Sequence, residues 1–277
     1  MQEFKADLHT HTNFSDGRLS PYDLIYKASK NNINVLSITD HDNISALKES
    51  VGIGKELGVE IIPGVEISSE INGQEIHILA YFINGNDEKF VSFLNTIKES
   101  RIDRVKKMIK ILNELGSKID AEEFVSRFDS NISIGRPHIA MELVSEKFAR
   151  TFAEAFMKYI GDNKPAYVKK TNPSFKEAIK NISQAGGLSF IAHPGKYVRD
   201  EVMAELISEG IDGIEINHPS HSREDREYFT KIAADNFLLE SGGSDFHGAT
   251  KTDMQNFGKF YIDHDKLMNI KRRLTLD

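Results

Sequence analysis

The sequence predicts an α/β fold, a largely parallel sheet curled into a closed or distorted (β/α) barrel and interrupted by a helical insertion. Three observations carry this. Short apolar runs rich in Ile and Val alternate with helical stretches over most of the 277 residues, the pattern of β–α units whose strands are buried on both faces. Seven or eight such runs suit a barrel of this length. Between residues 95 and 165 the alternation stops and the chain reads as helix alone.

The strand-like runs are residues 4–8, 34–39, 60–67, 74–82, 188–192, 213–217, 238–241 and 257–262. Ser20-Pro21-Tyr22-Asp23 predicts a helix start, with a capping hydroxyl, a proline in the first turn and an acid three residues after the cap. Residues 43–57 place Ile44, Leu47, Val51 and Leu57 at helical spacing, and Gly58 is a natural stop. In the irregular stretch, Ile102, Val105, Ile109, Leu112 and Leu115 mark one apolar face, and Arg101, Arg104, Lys106, Lys107 and Lys110 fill the others. Asn172-Pro173 predicts another helix start. The expected organisation is therefore a barrel of residues 1–94 and 166–277, with an insertion subdomain at 95–165.

Composition narrows the function. Apolar residues at 39% and charged residues at 28% describe a globular chain with a sizeable core. The net charge of −7 argues against a general binder of duplex DNA or membrane surfaces. The chain has no cysteine, which excludes disulfides, thiolate zinc sites, iron–sulfur clusters and a cysteine nucleophile. No apolar run is long enough to span a bilayer, and the polar motif at His9 leaves no room for a signal peptide, so the expected location is the cytoplasm. Neither a phosphate loop of the G-x-x-x-x-G-K-[ST] type nor a G-x-S-x-G elbow occurs. Gly52-x-Gly54 lies inside a helical stretch with the wrong spacing for a dinucleotide fingerprint.

The histidines carry the chemistry. His9 and His11 form an H-x-H at the end of the first run, followed by Asp16-Gly17. Asp40-His41-Asp42 ends the second. Glu66 sits in Pro63-Gly64-Val65-Glu66, and His77 in the run after it. His193-Pro194-Gly195 ends a later run, and Asp245-Phe246-His247 follows Gly242-Gly243-Ser244. In a parallel barrel the C-terminal strand ends converge on one face, so most of these groups converge too. Imidazoles and carboxylates without sulfur suit Mn²⁺, Fe²⁺ or Zn²⁺.

These motifs resemble those of the PHP (polymerase and histidinol phosphatase) family of metal-dependent phosphoesterases. The matching stretches are Asp7-Leu8-His9-Thr10-His11, Thr39-Asp40-His41-Asp42, Pro63-Gly64-Val65-Glu66, Ala192-His193-Pro194-Gly195 and Gly243-Ser244-Asp245-Phe246-His247. The resemblance implies a distorted (β/α)7 barrel and three divalent ions. One ion would take His9, His11, Glu66 and Asp245. A second would share Glu66 and add His77 and His193. The third would take Asp16, His41 and His247. Gly135-Arg136-Pro137-His138-Ile139-Ala140 and Lys164-Pro165-Ala166-Tyr167-Val168 resemble insertion motifs of the subgroup that hydrolyses nucleoside 3′,5′-bisphosphates and trims short 5′-phosphorylated RNA.

The expectation is a phosphoesterase in which a water acidified between two ions attacks phosphorus. Its substrate would be a phosphorylated small molecule, nucleotide or short RNA. Arg136 is the expected phosphate clamp, the resemblance also points to His218 as a substrate-phosphate contact, Lys164 is a further one, and His218 and Asp40 are candidate acids. Asp7 and Asp40 are expected to orient ligating imidazoles. Asp42 and His138 receive no role, and His221 and His264 read as surface histidines. Two alternatives stand beside this reading, a small-molecule phosphatase of the histidinol-phosphate type and a noncatalytic metal- or nucleotide-binding module.

Overall fold

The computed structural model describes residues 3–195, 198 and 200–275. Seven strands form one sheet in chain order: β1 (Ala6–Thr10), β2 (Val35–Ile38), β3 (Glu60–Ile71), β4 (Gln74–Tyr81), β5 (Leu188–Ile191), β6 (Gly213–Asn217) and β7 (Leu239–Gly242). Between them lie α1 (Pro21–Lys30), α2 (Leu47–Leu57), α3 (Glu88–Glu114), α4 (Ala121–Ser126), α5 (Arg136–Ser145), α6 (Phe152–Ala155), α7 (Phe175–Gln184), α8 (Asp200–Ser208) and α9 (Arg223–Asp235). Two more helices, α10 (Lys251–Asn256) and α11 (His264–Arg273), follow β7. A parallel bridge between Thr10 and Phe246 brings the first strand's end to the chain beyond the last, so the barrel nearly closes.

Two features depart from a regular parallel barrel. β4 pairs antiparallel with both β3 and β5, whereas every other pairing is parallel. The cause is local: Asn72 and Gly73, both at positive φ, close a two-residue hairpin between β3 and β4. The run at 257–262, expected as a possible eighth strand, makes only an isolated bridge from Ile262 to Ala6. The expected helix start at Asn172-Pro173 falls a little later, where the Ser174 hydroxyl caps α7. The start at Ser20 is as expected, its side chain accepting from the Asp23 amide.

Strand residues divide between the barrel interior and outer cores, with Leu36 and Ile38 of β2 packing against Leu24 and Ile25 of α1. Leu8, Val35, Leu79, Tyr81 and Phe190 fill the barrel interior, while Val65, Ile67, Ile78, Ile191 and Ile214 pack outward against α3, α7, α8 and α9. The helical stretch has its own core, built from Val105, Met108, Ile109, Leu112, Phe124, Ile139 and Leu143. α3 starts before residue 95, at an Asp87 cap, and serves both bodies. Its first half (Phe90, Phe93, Leu94, Ile97) joins the outer barrel core and its second half the separate one.

Candidate metal centre

The strand ends gather the histidines around Glu66, which lies within β3 at the register where His41 bridges to it. Nε2 of His9 and of His11 each lie 3.3 Å from Glu66 Oε2, and 3.3 and 3.1 Å from Asp245 Oδ1. On the other side, Glu66 Oε1 is 2.8 Å from His77 Nδ1 and 2.9 Å from His193 Nε2, and Oε2 is 3.1 Å from His41 Nδ1. Asp16 faces His247 Nε2 at 3.2 Å, His41 Nε2 at 3.7 Å and His11 Nδ1 at 3.9 Å. All nine expected metal-ligating residues therefore meet in one place. His41 stands between Asp16 and Glu66, where the expectation grouped it with Asp16 and His247 only. His77 reaches the centre from within a strand because β4 runs antiparallel and starts at the site end of the barrel.

These side chains fit divalent ions. Bonds of about 2.1 Å to one ion leave its donors roughly 3 Å apart, the spacing found here. His9 Nε2, both nitrogens of His11, Asp16 Oδ1, His41 Nδ1, Glu66 Oε2 and His77 Nδ1 are buried and have no aligned hydrogen-bond partner. Buried polar atoms left in that state are costly. Short contacts that are misaligned for hydrogen bonding indicate lone pairs aimed at a shared point. Among the described residues four donor groups are compact enough to hold an ion, namely His9/His11/Glu66/Asp245, His11/Asp16/His41/His247, His41/Glu66/His77 and His9/Glu215/His218.

The charges agree. Burial would raise Glu66, Asp16 and Asp245, but the surrounding imidazoles hold all three well below the usual carboxylate range. For His77 and His247 burial works in the opposite direction, against protonation, yet Glu66 beside one and Asp16 beside the other lift each to about 10. His41 goes the other way, pushed down to about 3 chiefly by burial.

Below this layer, buried carboxylates position these side chains, and here the structure corrects the sequence reading. Asp7 accepts from the amides of His9 and Ser244 and from the Ser244 hydroxyl at 2.6 Å, so it fastens the segment before Asp245 and touches no imidazole. Burial raises its carboxyl to about 7 against those hydrogen bonds. Asp40 accepts from the Thr12 amide and from the hydroxyls of Thr12 and Ser15, which holds the loop leading to Asp16. It is buried with both oxygens engaged, so it is not placed to deliver a proton. Glu75 faces His77 Nε2 at 3.4 Å, and a second carboxylate that orients an imidazole is Glu215, absent from the sequence reading. It accepts from His9 Nδ1 at 2.9 Å and from the His193 amide at 2.7 Å, turning His9 Nε2 toward Glu66. Its signal was a charged residue inside the apolar run Gly213-Ile214-Glu215-Ile216.

His221, expected at the surface, is buried. Its Nδ1 donates to the Ile216 carbonyl and its Nε2 accepts from the Gly195 amide, bracing the turn after His193. His193 and Asp245 both adopt positive φ, a strain of about 1–3 kcal/mol each of the kind that collects at functional sites. Gly243 explains its own identity: a Cβ there would lie 2.4 Å from the His9 amide nitrogen.

Beside the centre lies a cavity of about 460 Å³, walled by the barrel residues Gln74, Glu75, His77 and His193 and by Arg136, Asp162, Asn163 and Tyr167 from beyond α3. Arg136 pairs with Asp162 at 2.6 Å and lies over the rings of Phe156 and Tyr167. Lys164 is exposed on the same turn, outside the cavity wall. His218 accepts from the Ser220 amide at Nδ1, which leaves its proton on Nε2, 3.4 Å from Asp245 Oδ2. His138 caps the start of α5 by accepting from the Gly135 amide.

The PHP domain profile matches residues 7–240. The chain belongs to the PHP family. Among its PHP relatives, a 5′-3′ exoribonuclease of Haemophilus influenzae is 33% identical over 88% of this chain and 90% of its own length. A 3′,5′-nucleoside bisphosphate phosphatase of Chromobacterium violaceum is 31% identical over 87% of this chain and 86% of its own. A solved structure from Bifidobacterium adolescentis, named as a candidate metal-dependent phosphoesterase, superimposes with a TM-score of 0.89 at 30% identity, covering 98% of this chain and 96% of that one. The distorted seven-stranded barrel is thus the PHP fold.

Proposed function

We propose that this PHP protein is a metal-dependent phosphoesterase that hydrolyses phosphate esters of nucleotides, namely nucleoside 3′,5′-bisphosphates, the 5′ ends of short RNA, or both. The observation that carries the nucleotide reading is the shared cavity. A small phosphate monoester needs only the ligand cluster. Here a space of about 460 Å³, within the usual range of ligand pockets, extends from His77 and His193 to Arg136 on the helical stretch and Tyr167 just after it. We take that stretch, residues 95–165, as the insertion subdomain. The names of the relatives from Haemophilus influenzae and Chromobacterium violaceum support the same substrate class.

His9, His11, Glu66 and Asp245 would hold one divalent ion, Glu66 with His77 and His193 a second, and Asp16, His41 and His247 a third; Mn²⁺, Fe²⁺ and Zn²⁺ all suit such nitrogen and oxygen donors. Bound ions of this kind acidify a water for attack and neutralise charge on phosphate oxygens. The chain's own groups do the rest. The Arg136 guanidinium is a planar fork suited to phosphate oxygens, and the Phe156 and Tyr167 rings hold it at the cavity wall. His218 keeps its proton on Nε2, because Nδ1 accepts from Ser220, and so can donate to a phosphate or leaving oxygen beside Asp245. Asp7, Asp40 and Glu215 keep the ligating side chains in register without touching substrate.

A product time course with Mn²⁺-loaded protein tests the reading. Its substrates are adenosine 3′,5′-bisphosphate, a 5′-phosphorylated RNA pentamer and histidinol phosphate. Loss of the nucleoside 3′-phosphate, or stepwise release of 5′-mononucleotides, is the expected result. Turnover of histidinol phosphate alone would keep the fold and overturn the nucleotide assignment. Metal binding without phosphate release from any of the three would favour the binding module.

A further inference from the structure

The cavity is walled from two bodies with separate apolar cores. Apart from the continuity of α3, polar contacts at their junction set how the insertion sits over the barrel. Several of them converge on the two residues after His41, beside others such as Arg104 to the Val168 carbonyl and the Ser133 amide to the Phe14 carbonyl. Asp42 is fully buried at positive φ. Its Oδ1 accepts from the Ser68 amide at 2.7 Å. Its Oδ2 accepts from Arg101 Nε at 2.6 Å, from the Ser68 hydroxyl at 3.0 Å and from Lys170 Nζ at 3.3 Å. Arg101 Nη2 also donates to the Ser68 hydroxyl, at 3.0 Å. Asn43 donates its side-chain amide to the carbonyls of Phe14 and Asn131.

Arg101 lies in the middle of α3, Asn131 precedes α5, and Lys170 stands where the chain returns to the barrel. Three separate points of the helical stretch and its return are thus tied to Asp42 and Asn43. Both cations are almost wholly withdrawn from water, with side-chain exposures of 12% for Arg101 and 2% for Lys170. Two buried cations on one carboxylate cost desolvation that their mutual geometry must offset, a poor choice for stability alone but a specific one for register.

We propose that Asp42, with Arg101 and Lys170, is a latch that fixes the insertion over the metal centre. Recognition of the nucleoside part of the substrate then depends on residues that never touch it. This rests on the nucleotide reading above. Arg101 and Lys170 are positioning residues. Loosening them lets Arg136 and Tyr167 drift from His77 and His193 and leaves the ligand cluster intact.

The test compares wild type with Arg101→Met and Arg101→Lys, each Mn²⁺-loaded, on adenosine 3′,5′-bisphosphate and on p-nitrophenyl phosphate. Metal content is assayed and backbone hydrogen exchange is followed in parallel. For Arg101→Met, KM for the bisphosphate should rise about tenfold or more, the scale seen when a supporting partner behind a site is removed. Turnover of p-nitrophenyl phosphate and metal content should be little changed, amides of α5 and residues 161–167 should exchange faster, and Arg101→Lys should recover part of the loss. Equal losses on both esters, with exchange unchanged across the insertion, would overturn the latch, as would no change in any readout. If Arg101→Met does not fold, Lys170→Met keeps the Asp42–Arg101 pair and should show the same split in weaker form. If the wild type ignores the bisphosphate, the nucleotide reading falls, and the exchange comparison still decides whether the latch holds the insertion.

Discussion

At His9 one ring nitrogen serves Glu215 and the other faces Glu66 and Asp245. Replacing Glu215 with Ala should cost about 10–100-fold in metal affinity or turnover, as loss of a carboxylate behind a ligating imidazole does; titrating the ion-free variant with Mn²⁺ measures it. Asp245→Ala removes a group facing both His9 and His11. It should lose an ion by metal analysis and nearly all phosphate release, and an unimpaired variant would refute the proposed ligand role. The titration of the cluster has a definite sign. In the ion-free protein His77 and His247 are held up near 10, above the ordinary value of about 6.5. A raised histidine stabilises the fold fully below about 6.5, and that contribution is lost as pH rises through the folded value. Ion-free protein should therefore lose stability in denaturant melts between roughly pH 6.5 and 10. An incoming ion must displace the same protons, so Mn²⁺ affinity should rise over that window and binding should release protons into a weak buffer.

At the scale of elements, the hairpin at Asn72-Gly73 has consequences beyond its own turn. It reverses β4, and reversal is what aims His77 at Glu66 from within a strand. Gly73 sits at φ 81°, where a side chain costs about 1–2 kcal/mol. Gly73→Val should lower unfolding stability by about that amount, read from urea melts at constant slope. Strand–helix alternation was legible along the chain because burial on both faces demands apolar runs. The antiparallel pairing was not, although Asn72-Gly73 was its signal. The run at 257–262 reads as strand by composition, but the barrel nearly closes through Thr10 and Phe246 without it.

For the whole molecule, the ligand cluster is a store of unpartnered buried donors that ions would satisfy. Adding Mn²⁺ should raise the melting temperature in a concentration-dependent way, and a chelator should reverse it. At a hundredfold excess over Kd the gain is about 2.7 kcal/mol per site. A melting curve indifferent to both would count against the three proposed sites.

Residue identity alone determined which imidazoles and carboxylates could gather at the candidate centre and their order along the chain. Imidazole and carboxylate chemistry is local, and a parallel sheet must bring its strand ends together. Arg136, expected as an anion contact, stands on the cavity wall paired with Asp162. Only the tertiary structure decided which carboxylates stand behind which ligands. Asp7, Asp40, Asp42 and Glu215 are the same kind of group in the sequence, and their partners lie 2 to 237 positions away. It likewise decided that His221 is buried and that α3 belongs to two cores. Burial and charge pairing depend on what the rest of the chain packs against a residue, and no window along the sequence contains that.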